Sequence, residues 1–158
     1  RCHVVGPRLV SQYGRPEVRD TACALALESS SGDVTGSDLT GTLDARSQYG
    51  TLTLSGRFSR VHAESSSGSV SVRALAGSSA EEPWSLRSDY GALALELPAE
   101  FACAIDARST YGAVSCDLDG FTRTGGKPGT NALSGTVAGG GPGVRLETGS
   151  GDIELRNR

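Results

Sequence analysis

"LDARSQYGTLTL", residues 43–54, decides the fold of this chain of 158 residues, because its pattern returns along most of the sequence. Apolar and polar residues alternate on both sides of a glycine. "VHAESSSGSVSV", residues 61–72, has the same alternation and the same serine three residues before its glycine. Alternation with a period of two is typical of half-buried β-strands. Each copy therefore predicts two strands joined by a turn.

Six copies of the pattern align on their turn glycines. These glycines are Gly32, Gly50, Gly68, Gly91, Gly112 and Gly151. A weaker seventh copy surrounds Gly14. The residues seven and five positions before each glycine, and two and four positions after it, are almost all apolar or small, which predicts that they face a core. A serine or threonine stands three positions before the glycine in all six copies, and its hydroxyl can bond the turn's own backbone or that of the next copy.

The length of the repeat predicts how the copies assemble. Most turn glycines are 18 to 23 residues apart, and a unit of that length with two short strands cannot bury its apolar face alone. Stacked units share one continuous core. The sequence therefore predicts an all-β fold, a single-domain β-solenoid (β-helix) of about six or seven rungs that spans residues 1–158.

One long interval interrupts the repeat. The last two turn glycines are 39 residues apart, and the stretch between them contains a Gly-rich segment, residues 119–143. We expect this segment to be a loop insertion or a degenerate rung, with its strand around residues 133–137.

Two outward positions vary together. Copies with arginine four residues before the glycine have tyrosine directly before it, and copies with glutamate have serine there. The resulting candidate binding strip consists of Tyr49, Tyr90, Tyr111, Arg46, Arg87 and Arg108. Either each arginine packs on its tyrosine in a cation–π contact, or the strip binds a ligand, with Tyr90 and Tyr111 at its centre on adjacent rungs. Arginines and glutamates of neighbouring rungs are expected to form a ladder of opposite charges.

The four cysteines are Cys2, Cys23, Cys103 and Cys116. An even number suits disulfides in an oxidising compartment, and buried free thiols are equally possible. Cys2–Cys23 and Cys103–Cys116 are the simplest of the three possible pairings. The chain has no Cys-x-x-Cys motif and its two histidines are far apart in sequence, so the sequence predicts no metal site.

Composition and the absence of known motifs argue against several classes of function. A net charge of −3 and a single lysine argue against nucleic acid as a partner. No apolar run approaches the ~20 residues that cross a bilayer, so no membrane span is predicted in this chain. Because the sequence contains no nucleophile elbow, phosphate-binding loop or His-Glu-x-x-His motif, we expect no enzyme, no catalytic residues and no cofactor.

A resemblance adds to these expectations. "SSSGDV" (29–34), "SQYGTLTL" (47–54), "SSSGSVSV" (65–72) and above all "TVAGGGPGVRLETGSGDIELR" (136–156) resemble a bacterial family of adhesin domains of unknown function with β-strand repeats. Those domains occur in exported or membrane-attached proteins. The resemblance covers about residues 25–156. It implies a β-solenoid at the cell envelope, without established catalytic residues.

Together these observations favour a non-enzymatic, extracytoplasmic structural or adhesin-like protein, secreted or at the cell surface, with an envelope component or a glycan as ligand. The first alternative is a filament subunit, because the open strand edges of a solenoid template pairing unless they are capped. End-to-end self-association would then use the C-terminal rung, which reaches Leu155. The second alternative is a carbohydrate-active enzyme on a β-helix.

Overall fold

The computed structural model describes residues 8–22, 24–78, 81–126 and 131–157, and within them the chain is all-β. Fourteen strands form one curled sheet. The strands are β1 (Arg8–Tyr13), β2 (Glu17–Arg19), β3 (Leu25–Ser31), β4 (Val34–Tyr49), β5 (Leu52–Ser67), β6 (Val70–Ala74), β7 (Trp84–Tyr90), β8 (Leu93–Leu97), β9 (Cys103–Ser109), β10 (Val114–Asp117), β11 (Phe121–Gly126), β12 (Ala132–Val137), β13 (Gly143–Ser150) and β14 (Ile153–Asn157).

Each turn glycine joins two faces of the sheet. Strands that lead into the glycines form a front face, and strands that leave them form a back face. β4 and β5 each run 16 residues from the back face round to the front face. They pair in parallel with an offset of one repeat, so that Val34 lies beside Leu52 and Leu43 beside Val61. The predicted β-solenoid is confirmed, and the weak copy at Gly14 is a rung formed by β1 and β2.

The rungs do not stack in the order of the chain. β13 lies between β7 and β9 on the front face, and β14 lies between β8 and β10 on the back face, all in parallel. Along the stack the turn glycines follow the order Gly14, Gly32, Gly50, Gly68, Gly91, Gly151 and Gly112. The expectation that the C-terminal rung ends the stack is therefore wrong. Leu155 is fully buried, with Leu95 on one side and Cys116 on the other.

The Gly-rich segment supplies the connection that makes this order possible. β11 and β12 form an antiparallel pair, and β12 also pairs antiparallel with the outer edge of β9. Leu133 lies beside Ala107 and Val137 beside Cys103, so both apolar side chains of β12 are buried. The degenerate rung expected around residues 133–137 is thus a strand that runs against the others. It pairs with the outer edge of β9, which is the front-face strand of the last rung, before the chain returns to form β13.

The inward positions form one core. Leu52 and Leu54, two and four residues after a turn glycine, are buried, as are the matching residues of the other five strong copies except the half-buried Cys116. Trp84 is the largest fully buried side chain. Its ring centroid lies 6.1 Å from that of Phe58 and 5.0 Å from that of Phe101. The indole N–H donates to the Ser59 carbonyl at 3.3 Å, so the polar atom that burial removes from water retains a partner.

The turn glycines stand in a line where neighbouring backbones nearly touch. A Cβ at Gly91 would lie 2.2 Å from the Gly68 carbonyl oxygen, and one at Gly112 would lie 1.9 Å from that of Gly151. No side chain fits at such distances. Gly91 also has a φ of +146°, whereas Gly112 has no φ in the left-handed region. Glycine is therefore required here by the close approach of the rungs as well as by the turn.

Candidate binding strip at the turn edge

All four tyrosines of the chain stand in one column, directly before turn glycines. We call this the Tyr column. Along the stack its positions read Tyr13, Ser31, Tyr49, Ser67, Tyr90, Ser150 and Tyr111. Tyrosine and serine therefore alternate without exception from the first rung to the last.

The tyrosine side chains are exposed and make no contact that would explain their positions. Their exposed fractions range from 62% at Tyr49 to 85% at Tyr13 and Tyr111. Among the residues that the structure describes, no cation–π contact involves them, and their hydroxyls form no hydrogen bond. The expected packing of Arg46, Arg87 and Arg108 on the tyrosines is therefore wrong.

The arginines of the strip are paired with carboxylates instead. The Arg46 Nε lies 3.6 Å from carboxylate oxygens of both Asp44 and Glu64. Arg87 is 3.7 Å from Asp89, and Arg108 is 3.2 Å from Asp106. These groups are well exposed, so each pair stabilises the fold by about 0–1 kcal/mol.

The position four residues before each glycine forms a second column, which we call the charge column. Along the stack it reads Glu28, Arg46, Glu64, Arg87, Glu147 and Arg108. Val10 precedes Glu28 in the first rung, and from Glu28 onward opposite charges are neighbours in the order that the expected ladder requires. Within the column, the ion pair that forms is Arg46–Glu64, at 3.6 Å. The alternation reaches the last rung because the inserted β13 places Glu147 between Arg87 and Arg108.

Shallow pockets run beside the two columns. One of about 430 Å³ extends from Val10 to Asp89, and another of about 480 Å³ continues from Asp89 to Asn131. A third, of about 310 Å³, lies between Tyr90 and Tyr111, where Gly149 and Ser150 also line it. The strip is thus an open groove with one row of aromatic rings, and not an enclosed cavity.

The family of the chain follows from its sequence. The family model of Toastrack DUF4097 matches residues 19–156. The chain belongs to the Toastrack DUF4097 family. The matched region includes every strand from β3 to β13 and nearly all of β14. A search of curated proteins gave no match, and neither did a search of solved structures.

The structure of this Toastrack repeat corrects one detail of the strip. Tyr90 and Tyr111 do not lie on adjacent rungs, because the rung of Ser150 separates them. With rungs ~4.8 Å apart, the two tyrosines are ~9.6 Å apart along the stack. The sequence contained a signal for this order. The first four strong copies alternate glutamate and arginine strictly, and only the copy with Glu147 and Ser150 continues that alternation between Arg87 and Arg108.

The cysteines of the Toastrack repeat are not bridged where the structure describes them. Cys103 and Cys116 are free thiols, so the expected bridge between them is not borne out. Burial, with a smaller contribution from the nearby Cys116, raises the pKa of Cys103 to about 12. Burial also raises the pKa of Cys116. Cys2 and Cys23 lie outside the described residues.

Carboxylates at the turns form hydrogen bonds between neighbouring rungs. Asp152 accepts a hydrogen bond from the Ala113 amide at 2.9 Å, and Asp33 accepts one from the Thr51 amide at 3.0 Å. Each carboxylate thereby ties its rung to a neighbouring turn. Within the described ranges, no three His, Cys, Asp or Glu side chains are grouped as metal ligands. The same part of the chain holds no helix long and apolar enough to span a bilayer.

Proposed function

We propose that this chain is a non-enzymatic, adhesin-like scaffold outside the cytoplasm, which presents the Tyr column to a ligand of the cell envelope. The observation that carries the proposal is that all four tyrosines are exposed on alternate rungs of one edge. Exposed aromatic side chains that line up along a surface are typical of recognition sites, because they contribute large contact areas for little lost conformational freedom.

The charged groups of the strip favour recognition over catalysis. A general acid or base needs a free path to its substrate. Asp89 and Asp106 are instead held by Arg87 and Arg108. His62 lies 3.7 Å from Glu64, which also pairs with Arg46. These pairs keep the strip charge-balanced. The carbohydrate-active enzyme therefore has less support than the scaffold.

The experiment exchanges tyrosine for the residue that alternate rungs already carry. The triple variant Tyr49→Ser, Tyr90→Ser, Tyr111→Ser keeps the fold, because serine occupies the same position in three native rungs. Purified protein is mixed with purified cell envelopes, which are sedimented and washed. We expect the native chain to sediment with the envelopes and the variant to stay in solution.

A matched control changes exposed side chains of the back face, outside the Tyr column. Thr35 and Thr53 are exposed on the back face, beside each other on β4 and β5. The variant Thr35→Ala, Thr53→Ala should bind like the native chain. Equal binding by the native chain and the tyrosine variant would contradict the role of the Tyr column. Labelling of the chain on intact cells by an antibody tests the extracytoplasmic location, and labelling only after lysis would contradict it.

A filament subunit is the second candidate, and open strand edges favour it. Among the described residues, β1 and β2 have strand partners on one side only, and so does β10 at the other end. The β12 strand covers β9, and β11 pairs with β12 alone among the described strands, so the unpaired edges at that end belong to β10 on the back face and to β11. The scaffold proposal expects monomers in light scattering at all concentrations. Filaments in electron micrographs would favour the second candidate.

A further inference from the structure

We propose that the Tyr column binds a proline-rich segment in the polyproline II conformation, with every third residue of the segment docked against one tyrosine. The inference rests on the proposed function, which makes the Tyr column a binding surface, and it adds the class of ligand. It follows from the spacing of the tyrosines, the space between them and the charge of the neighbouring column.

The spacing is the first step. Tyrosines occupy every second rung, and rungs are ~4.8 Å apart, so the rings repeat every ~9.6 Å along the stack. A polyproline II helix has three residues per turn and rises ~3.1 Å per residue, which gives ~9.3 Å per turn. The accumulated difference from Tyr13 to Tyr111 is about 1 Å. An extended β-strand repeats its side-chain direction after only ~6.8 Å and loses register at the first step.

The space between the rings is the second step. Serines separate the tyrosines, so each pair of rings borders a gap lined by small residues. Between Tyr90 and Tyr111 this gap is a pocket of about 310 Å³, with Gly149 and Ser150 at its base. A pyrrolidine ring is compact and rigid, and it packs on the face of an aromatic ring. Proline-rich segments dock into aromatic-lined grooves for this reason, and because they are already extended they lose little entropy on binding.

Charge and hydrogen bonding are the third step. Opposite charges alternate in the charge column, and Arg46, Arg87 and Arg108 are already paired with carboxylates. Such a surface has no excess of positive charge to attract a polyanion, and it suits an uncharged chain. A polyproline II segment has no internal hydrogen bonds, so its carbonyl groups are free acceptors. The tyrosine hydroxyls, which have no partner among the described residues, are donors at the matching interval.

Two labelled peptides of identical composition test the register. One consists of four Pro-Ala-Ala units, and the other has its four prolines together in the middle of the alanines. Binding is measured by fluorescence anisotropy. We expect the spaced peptide to bind about tenfold more tightly than the clustered one, since its prolines reach all four tyrosines.

Protein variants test the surface. Tyr90→Ser, Tyr111→Ser should weaken binding of the spaced peptide at least about tenfold, and Thr35→Ala, Thr53→Ala should leave it unchanged. Circular dichroism verifies that each variant is folded. Tyr90→Phe, Tyr111→Phe retains the rings and removes the hydroxyls, and it should bind with intermediate affinity.

The possible outcomes separate the ligand class from the proposed function. Equal binding of the two peptides overturns the polyproline inference, as does tyrosine-dependent binding of envelope glycans without any binding of the peptide. In the glycan case the Tyr column remains a binding surface and the proposed function stands. If neither peptides nor envelopes bind in a tyrosine-dependent way, both proposals fall.

Discussion

At the scale of single residues, the hydroxyl three positions before a turn glycine links one rung to a neighbouring rung at Ser88, Ser109 and Thr148. Ser109 donates to the Gly151 carbonyl at 2.9 Å and accepts from the Gly112 amide at 2.8 Å. Thr148 donates to the Gly91 carbonyl at 3.0 Å. The Ser47 hydroxyl, at the same position of its rung, is buried without a partner. The same position of the repeat thus has a hydrogen-bonded hydroxyl at Ser109 and one without a hydrogen bond at Ser47, and the two can be compared.

Replacing Ser109 and Ser47 by alanine should have opposite consequences. Ser109→Ala removes two hydrogen bonds from half-buried backbone groups, and we expect it to lower the free energy of unfolding by about 2 kcal/mol. Ser47→Ala removes a buried hydroxyl that has no partner, so we expect a change within about 0.5 kcal/mol or a slight gain. Urea unfolding followed by circular dichroism measures both. Equal losses would contradict the distinction.

The close approach of turn backbones gives a second prediction at this scale. Gly91→Ala places a Cβ against the Gly68 carbonyl, at a φ that alanine avoids, so we expect it to lower the free energy of unfolding by about 3 kcal/mol. Gly143→Ala is the control, because a Cβ at Gly143 meets no atom within 4 Å. The control should stay within about 0.5 kcal/mol of the native chain in urea unfolding.

The buried thiol of Cys103 makes stability depend on pH in the alkaline range. Its pKa is about 12 in the folded chain, against an ordinary value of 9.0. Because the folded pKa is the higher one, the thiol's contribution is complete below pH 9 and is lost as the pH rises from 9 towards 12. We expect the urea midpoint to fall with pH above about 9, and to fall less steeply in Cys103→Ala. Parallel slopes for the two proteins would contradict this.

At the scale of elements, β13 and β14 hold the stack together from inside. β13 pairs with β7 on one side and with β9 on the other, so its removal would leave an empty place between two rungs. β1 is different, because it pairs only with β3 among the described strands. The segment of β13 and β14 is therefore expected to contribute much more to the stability of the fold than β1 does, although both segments lie near an end of the sequence.

Truncation at each end should show this difference. We expect a chain that ends at residue 142 to lose its cooperative unfolding transition, because it lacks β13 and β14 and exposes the cores of the rungs on both sides. A chain that starts at residue 15 lacks only β1 and should unfold cooperatively with a modest loss of stability. Thermal unfolding measured by calorimetry distinguishes the two. Cooperative unfolding of the chain without β13 and β14 would contradict the interior position of the last rung.

At the scale of the whole molecule, the repeat predicted the rungs but only part of their arrangement. Inward residues such as Leu52 and Leu54 identified the core, because alternation across a turn determines which side chains are buried. The order of the rungs was less accessible, since all copies present similar apolar residues to their neighbours and any copy can stack on any other. The stacking order of the rungs is indicated instead by the alternation of glutamate with arginine in the charge column and of serine with tyrosine in the Tyr column. Apolar patterning also gave no sign that β12 would run antiparallel.

The interior position of the last rung determines when the molecule can be completed. A solenoid whose rungs follow the chain can grow one rung at a time while the chain is synthesised. Here one edge of β7 and one edge of β8 have no native partner until residues 143–157, which form β13 and β14, have left the ribosome. The rung at Gly112 must wait as well, because its native neighbours on the stack are β13 and β14. The nascent chain therefore carries an unpaired sheet edge until β13 and β14 have been synthesised, and these two strands close it.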